Sequence, residues 1–256
     1  MFKNRSESAG YIRRITHEKG GRVLELSPDI NPIVVRTPGV DVEYLDACST
    51  ETLRERAVSK GRKPDSVAAV DHLLDYKKPI SECVDRRTYD CLVSSHVIEH
   101  IPDLIGHFNQ ASDVLNPTGI YAFLAPDKEL CFDCRKPDTS LGQLIEAHIY
   151  KKTSAPISAM IDEFYYGAQR GSKGGWSVDD KEPLRNKHGQ SKDLIKSVIS
   201  NPDKAENWHG HIWRFTPSTF KSLYQELFFL DLVKLELVDV IPTQHMEFVV
   251  VLRSRA

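Results

Sequence analysis

Short apolar runs alternate with amphipathic stretches along most of this chain. The apolar runs, each bounded by charged or turn-forming residues, are 22–26, 42–46, 66–70, 89–93 and 120–125. Runs of this length favour buried strands. Between them, residues 50–60 and 101–115 place apolar side chains at helical spacing. Strands that alternate with helices predict a mostly parallel sheet with helices on both faces.

The C-terminal pattern predicts a different ending for the sheet. Thr216 and Pro217 form a good helix start, and two strands are predicted at 232–240 and 245–252. The link of four residues between these strands is too short for a parallel crossover, so they should pair antiparallel. The predicted fold class is therefore α/β, with a Rossmann-like sheet of seven strands that is mostly parallel and ends in an antiparallel hairpin.

About ninety residues separate the fifth predicted strand from the last helix, too many for a structureless connection. Residues 141–150 look helical, and residues 173–190 look like a mobile polar loop without sheet-forming character. We expect one domain over residues 1–256, in which an insertion at 136–212 caps the ligand crevice and binds the substrate.

Composition and charge exclude some classes of protein. The 256 residues carry a formal charge of −2, which gives no electrostatic footprint for nucleic acid or an anionic membrane. No apolar run approaches the ~20 residues that span a bilayer, and no signal sequence opens the chain, so a cytoplasmic location is expected. Five cysteines, an odd number, predict reduced thiols, and the Cys131 and Cys134 pair lacks the second pair of a structural metal site.

Several motifs resemble class I S-adenosylmethionine (SAM)-dependent methyltransferases. The strand led by Asp90 runs into Ser95-His-Val-Ile-Glu-His100 and later into a Leu-Asn-Pro-Thr-Gly turn. The first motif contains Glu25, Pro28, Asn31 and Pro32, with Ser27 where one branch of the family has glycine. Further matches are Pro126-Asp-Lys128, Phe132-Asp133, Ala147-His148 and His209 to Pro217. That branch reads Glu-Ile-Gly-Pro and then Asn-Pro, and is often encoded beside glycan-assembly enzymes.

The resemblance implies a SAM site at the carboxyl ends of the strands. Asp46, about 20 residues beyond the first motif, would accept both ribose hydroxyls. Asp71, predicted to follow the third strand, would accept from the adenine amino group, and Glu25 would orient the amino-acid end of SAM. The predicted cofactor-binding residues are Glu25, Ser27, Pro28, Asn31, Asp46, Asp71, His72, Ser95 and His96.

The first motif contains no glycine. This argues against a nicotinamide dehydrogenase, because no glycine-rich turn is available to bind a pyrophosphate. SAM carries no phosphate, so the loss matters less for a methyltransferase. At Ser27, either the backbone is ordinary or strain is stored.

Three histidines are candidate bases for a hydroxyl acceptor, since imidazole titrates near neutrality: His148, His209 and His211. His100 is expected to cap or pack at a helix start. Asp127, Asp133 and the histidines could instead hold a divalent cation, but their spacing defines no coordination shell, so no metal ligand is assigned.

We therefore predict a SAM-dependent methyltransferase that methylates a hydroxyl of a sugar or glycan-linked acceptor, without nucleic-acid partners or membrane insertion. The main alternative is an inactive methyltransferase-like scaffold that binds a partner protein. A metal-dependent hydrolase is a third alternative. The sequence leaves the oligomeric state open, with a homodimer among the alternatives.

Overall fold

The computed structural model describes residues 1–84, 88–189, 191–206 and 208–255. Gln190, the last residue of the predicted polar loop, lies outside these ranges. The helices are α1 (Arg5–Lys19), α2 (Thr50–Ser59), α3 (Ile80–Cys83), α4 (Leu104–Val114), α5 (Leu141–Ile149), α6 (Ile157–Tyr166), α7 (Ser191–Ser200) and α8 (Pro217–Phe229). The strands are β1 (Arg22–Leu26), β2 (Asp41–Asp46), β3 (His72–Leu73), β4 (Tyr89–Ser95), β5 (Leu115–Pro126), β6 (Ala168–Arg170), β7 (Leu184–Asn186), β8 (Glu236–Ile241) and β9 (Glu247–Arg253).

Seven strands form one sheet in the order β3-β2-β1-β4-β5-β9-β8. Strands β1 to β5 are parallel, whereas β9 is antiparallel to both β5 and β8. The register aligns Leu26 with Leu45 on one side and with Ser94 on the other. Because these strands end together, the loops that follow β1, β2 and β4 meet at one edge. The predicted fold class is confirmed.

Apolar side chains on the two faces of the sheet form two separate cores. One contains stacked and edge-on rings from α4, β5 and α8, including Phe108, Phe123 and Phe220. The other packs Ile12 of α1 against Val23 and its neighbours. Within the described ranges, no helix combines the length and apolar character needed to cross a membrane.

The third strand lies later in the chain than the sequence predicts. Residues 66–70 do not form a strand, and a 3-10 turn occupies Pro64–Ser66. The amide of Val70 donates to Thr50 Oγ1 on α2 instead of joining the sheet ladder. Pairing with β2 begins only at His72. Asp71 therefore precedes β3 rather than following it, and this part of the prediction was wrong.

The long segment between β5 and α8 is more ordered than predicted. The predicted helix is present as α5, and α6 and α7 pack together beyond it. Residues predicted to lack sheet-forming character contain the antiparallel pair β6–β7. Helix α4 begins after Pro102, since the Asp103 side chain accepts from the Gly106 amide at 2.8 Å and caps it.

Candidate active site

The sheet order reverses between β1 and β4, the switch point at which α/β sheets bind ligands beyond their carboxyl ends. Three loops meet there: 27–32 after β1, 46–49 after β2 and 95–96 after β4. We call this the cofactor crevice. These loops contain six of the nine predicted cofactor residues, namely Ser27, Pro28, Asn31, Asp46, Ser95 and His96. Glu25 lies beneath them in β1, and Asp71 and His72 lie outside the crevice.

Ser27 adopts a positive φ of 49° at the position where the related motif has glycine. Its amide still donates to the carbonyl of Leu45 on the neighbouring strand at 2.8 Å. A non-glycine residue in this region stores strain of about 1–3 kcal/mol. Of the two conformations considered from the sequence, the strained one is present, so the loop keeps its glycine-like path.

Glu25 is buried beneath this loop, and its carboxylate accepts from the amides of Ile33 and Val34 at 2.6 and 2.9 Å. Burial raises the pKa of Glu25 to about 7, although these two hydrogen bonds oppose the rise. The side chain therefore holds the end of the loop in place.

Asp46 ends β2 with its side chain buried in the crevice. Its oxygens accept from the amides of Asp29 at 3.1 Å and Cys48 at 2.9 Å. A carboxylate offers about four acceptor sites, so these two amides leave two of them unused. Asp29, also at a positive φ of 49°, pairs with Arg56 at 2.6 Å and ties the loop to α2.

Asp71 and His72 lie away from the crevice mouth because β3 starts late. The Asp71 carboxylate accepts from Arg36 at 2.6 Å and from the Tyr44 amide at 2.8 Å, in the middle of β2. His72 Nε2 lies 2.8 Å from Glu43 Oε2. The position that does follow β3 is held by Asp75 and Tyr76, which sequence reasoning missed.

His96 joins the crevice to a buried group of charges. Its φ is 55°, its Nε2 lies 2.9 Å from Glu247 Oε2, and its Nδ1 lies 3.4 Å from Glu99 Oε1. Burial alone would lower the pKa of His96, but the two carboxylates raise it to about 9. Arg5 of α1 also binds Glu247 at 2.7 Å and donates to Ser95 Oγ at 2.9 Å. A charged His96 therefore links the two carboxylates.

A cavity of about 330 Å³ lies where the segment after β4 reaches His100. We call it the acceptor pocket, after the role proposed for it below. It is lined by His100, Phe132, Glu163, Phe164, Lys187, His188, Trp208, His209, Gly210 and His211. The lining combines aromatic rings with side chains that can donate and accept hydrogen bonds. The cavity falls in the size range of small-molecule sites.

Two of the three predicted catalytic histidines, His209 and His211, line this pocket, but His148 does not. His148 Nδ1 instead lies 3.0 Å from Asp103 Oδ1 at the start of α4. His211 is buried, and its Nδ1 lies 2.6 Å from Asp133 Oδ2. A carboxylate in this position fixes the orientation and tautomer of an imidazole.

Buried ion pairs support the wall of the pocket. Lys136, wholly buried, pairs with both Asp133 and Glu163, and Lys187 pairs with Glu163 at 2.5 Å. Burial would raise the pKa of Asp133, but His211 and Lys136 hold it well below its usual range. Burial would likewise raise the pKa of Glu163, yet Lys136 and its other donors lower it to about 2. The wall is thus rigid and carries fixed charges.

Glu99 and His100 are the functional candidates that sequence reasoning missed or assigned otherwise. His100 does not cap a helix, since Asp103 does, and it faces the pocket. Asp127, named in the divalent-cation alternative, caps the 3-10 turn Lys128–Leu130 through the Glu129 amide. The Glu-His pair at 99–100, directly after the β4 motif, was the signal that could have indicated the pocket.

The comparisons identify the family. A model of the family described as "Methyltransferase domain" matches residues 3–227, so the chain belongs to that family. Membership implies binding of SAM or its demethylated product S-adenosylhomocysteine (SAH). The search of curated proteins found no match to this chain.

Solved structures agree on the fold. The CcbJ methyltransferase from Streptomyces caelestis matches with a TM-score of 0.50 and 13% identity, over 97% of this chain and 94% of that one. Two structures match less well. The CurJ carbon methyltransferase has a TM-score of 0.45 and 11% identity over 93% of this chain. TehB from Haemophilus influenzae has a TM-score of 0.45 and 10% identity over 98% of this chain. This chain spans 49% of the first and 63% of the second. At 13% identity, the likeness to the CcbJ methyltransferase shows the fold alone.

Proposed function

We propose that the protein transfers a methyl group from SAM to a hydroxyl oxygen of a sugar or sugar-linked acceptor bound in the acceptor pocket. The observation that carries this proposal is that the crevice loops lead into the acceptor pocket. Loops after β1, β2 and β4 form the cofactor crevice, and the segment after β4 runs directly into the acceptor pocket.

The crevice fits a SAM molecule in its chemistry. Asp46 retains acceptor capacity for the ribose hydroxyls, and Ser27 keeps the loop in the conformation that glycine would give. Ser95 and His96 lie at the end of β4, where the sulfonium would be held. This preserved loop removes the main reason to favour the inactive scaffold. When bound, SAM supplies a methyl group that is already activated for displacement.

The acceptor pocket suits a polyol. Trp208 offers an aromatic ring for the apolar side of a sugar. Lys187 and Glu163 offer a donor and an acceptor for hydroxyl groups. The surrounding residues 136–212 act as the cap that binds the acceptor.

Alignment of the acceptor with the methyl group supplies most of the acceleration in such a reaction. A hydroxyl must also lose its proton, and histidine is a suitable base. His209 is exposed at the pocket, whereas His211 is buried and oriented by Asp133. We assign the role of base, which accepts the proton of the hydroxyl, to one of these two histidines and not to His148.

A screen of free, nucleotide-linked and lipid-linked sugars, read by SAH release and by a mass gain of one methyl group, tests the proposal. We expect at least one sugar to gain a methyl ether. Methylation confined to amines or carbon atoms would refute it. A protein that binds SAH but methylates no sugar hydroxyl would refute the acceptor class and leave the cofactor assignment intact.

A further inference from the structure

Three ligand atoms converge at the floor of the acceptor pocket. Glu99 Oε1 lies 3.8 Å from His100 Nε2 and 3.7 Å from His211 Nε2. One ligand atom from each residue lies within 4.8 Å of the other two. Glu99 is only 1% exposed, and among the described residues neither of its oxygens accepts a hydrogen bond.

The other ring nitrogen of each histidine is already occupied. His100 Nδ1 lies 3.2 Å from the carbonyl oxygen of Gly210, and His211 Nδ1 lies 2.6 Å from Asp133 Oδ2. Both partners are acceptors, so Nδ1 carries the proton in each ring. In the neutral rings Nε2 then carries a lone pair and lies within 4 Å of a carboxylate oxygen.

Three acceptors directed at one point repel each other unless a cation lies between them. His96, at 3.4 Å from Glu99, supplies part of the positive charge, but it hydrogen-bonds Glu247 through Nε2 and makes no hydrogen bond of good geometry with Glu99. The two remaining candidates for the gap are an extra proton on a histidine and a metal ion.

We propose that Glu99, His100 and His211 form a binding site for a divalent transition-metal ion such as Zn²⁺ or Co²⁺. Two imidazoles and one carboxylate are a known donor set for these metals. Ligating histidines usually donate their second N–H to a carboxylate or a backbone carbonyl, and both arrangements are present here. Tetrahedral ligands at about 2.0–2.2 Å lie roughly 3.4 Å apart, so a contraction of a few tenths of an ångström would close the two carboxylate–imidazole gaps.

The remaining coordination positions would face the acceptor pocket, where His209 and Lys187 also lie. An acceptor oxygen could occupy one of them. With His211 committed to the ion, His209 is left to receive the proton. This role in acceptor binding rests on the proposed function, whereas ion binding itself does not.

Calorimetric titration of tag-free, chelator-treated protein with Zn²⁺ and with Co²⁺ tests the site. We expect one ion per chain with micromolar or tighter affinity, tighter for Co²⁺ than for Mn²⁺, and visible Co²⁺ absorption. The Glu99→Gln and His211→Asn variants should lose it. Asp133→Asn, which removes the carboxylate partner of both His211 and Lys136 but none of the three ligands, should weaken affinity by roughly 10–100-fold.

Two matched controls remove a histidine without touching the three ligands. His209→Asn changes another residue of the same pocket, and His148→Asn changes another histidine–carboxylate pair. Both should bind the ion as the wild type does. Should Glu99→Gln fail to fold by circular dichroism, His100→Gln provides a more exposed ligand to remove.

No binding of either ion, or binding that survives both Glu99→Gln and His211→Asn, would overturn the metal site and leave a protonated histidine as the occupant. Titration of the same samples with SAH separates the two proposals. If the ion binds and is lost in Glu99→Gln and His211→Asn, but SAH does not bind, only the proposed function is refuted. SAH binding without ion binding would refute the metal site alone.

Discussion

The cofactor crevice and the acceptor pocket lie side by side but are built differently. In the crevice, carboxylates mainly accept hydrogen bonds from backbone amides. Glu25 accepts from Ile33 and Val34, and Asp46 accepts from Asp29 and Cys48. In the pocket, side chains bind other side chains, as in the pair of His211 and Asp133. The crevice therefore fixes the path of the chain, whereas the pocket holds charges in chosen orientations. We expect crevice variants to change cofactor affinity or stability and pocket variants to change turnover.

Removal of His211 should have the largest effect. His211→Asn should lower turnover of the methylated sugar by about 10²–10⁴-fold, whether its imidazole serves as base or as metal ligand. Affinity for SAH should change little, since the side chain faces the pocket. Steady-state kinetics with calorimetry measures both quantities.

His17, exposed on α1, provides the matched control as His17→Asn. Turnover retained in His211→Asn, or an equal loss of turnover and of SAH affinity, would contradict the division between the two regions.

Glu25 should make stability depend on pH. Its pKa rises from 4.5 to about 7 in the folded state, so the folded protein binds a proton more tightly than the unfolded chain. This contribution is complete below pH 4.5 and is lost as the pH rises through 7, by up to about 3 kcal/mol. Glu25→Gln should flatten the decline, as measured by urea unfolding across pH 4.5–7.5. Parallel curves for the two proteins would refute the role of burial.

Asp46 should control cofactor affinity. Asp46→Ala should weaken SAH binding by about 1.5–3 kcal/mol, the value of a hydrogen bond to a charged group, and leave the fold intact. Asp41→Ala, at the opposite end of the same strand, is the control and should bind normally. Wild-type affinity in Asp46→Ala would exclude the ribose contact.

Ser27 should show the smallest effect. Ser27→Gly relieves the strain of the positive φ of 49° but raises the conformational entropy of the unfolded chain. The free energy of unfolding should therefore rise by only about 1 kcal/mol. Thermal unfolding should show the gain. Ser66→Gly, in an exposed turn, should show none. A loss of stability in Ser27→Gly would mean that the conformation is not strained.

The sequence predicted the crevice better than the pocket, for a physical reason. Strand ends are local features, so the apolar runs before Ser27 and Asp46 indicated which residues share an edge of the sheet. Asp71 was misplaced because Val70 bonds to a side chain of α2 instead of the sheet, which delays β3. No local pattern records such a contact.

The pocket depends on contacts between distant parts of the chain. Glu99, Asp133 and His211 meet although 112 residues separate the first from the last. Two of the three candidate histidines, His209 and His211, line the pocket, and their role as bases stays a prediction from residue type. The sequence could not indicate that His148 lies outside the pocket or that Glu99 lies beside two of its histidines, because both facts depend on the three-dimensional arrangement.

Calorimetric titration of the wild-type protein with SAH, in parallel with Asp46→Ala and His211→Asn, tests whether the cofactor crevice binds its ligand independently of the acceptor pocket. We expect micromolar binding to one site, weakened roughly 10–150-fold in Asp46→Ala and unchanged in His211→Asn. Absence of SAH binding to the wild type, or its loss in His211→Asn alone, would contradict a cofactor crevice that is independent of the acceptor pocket.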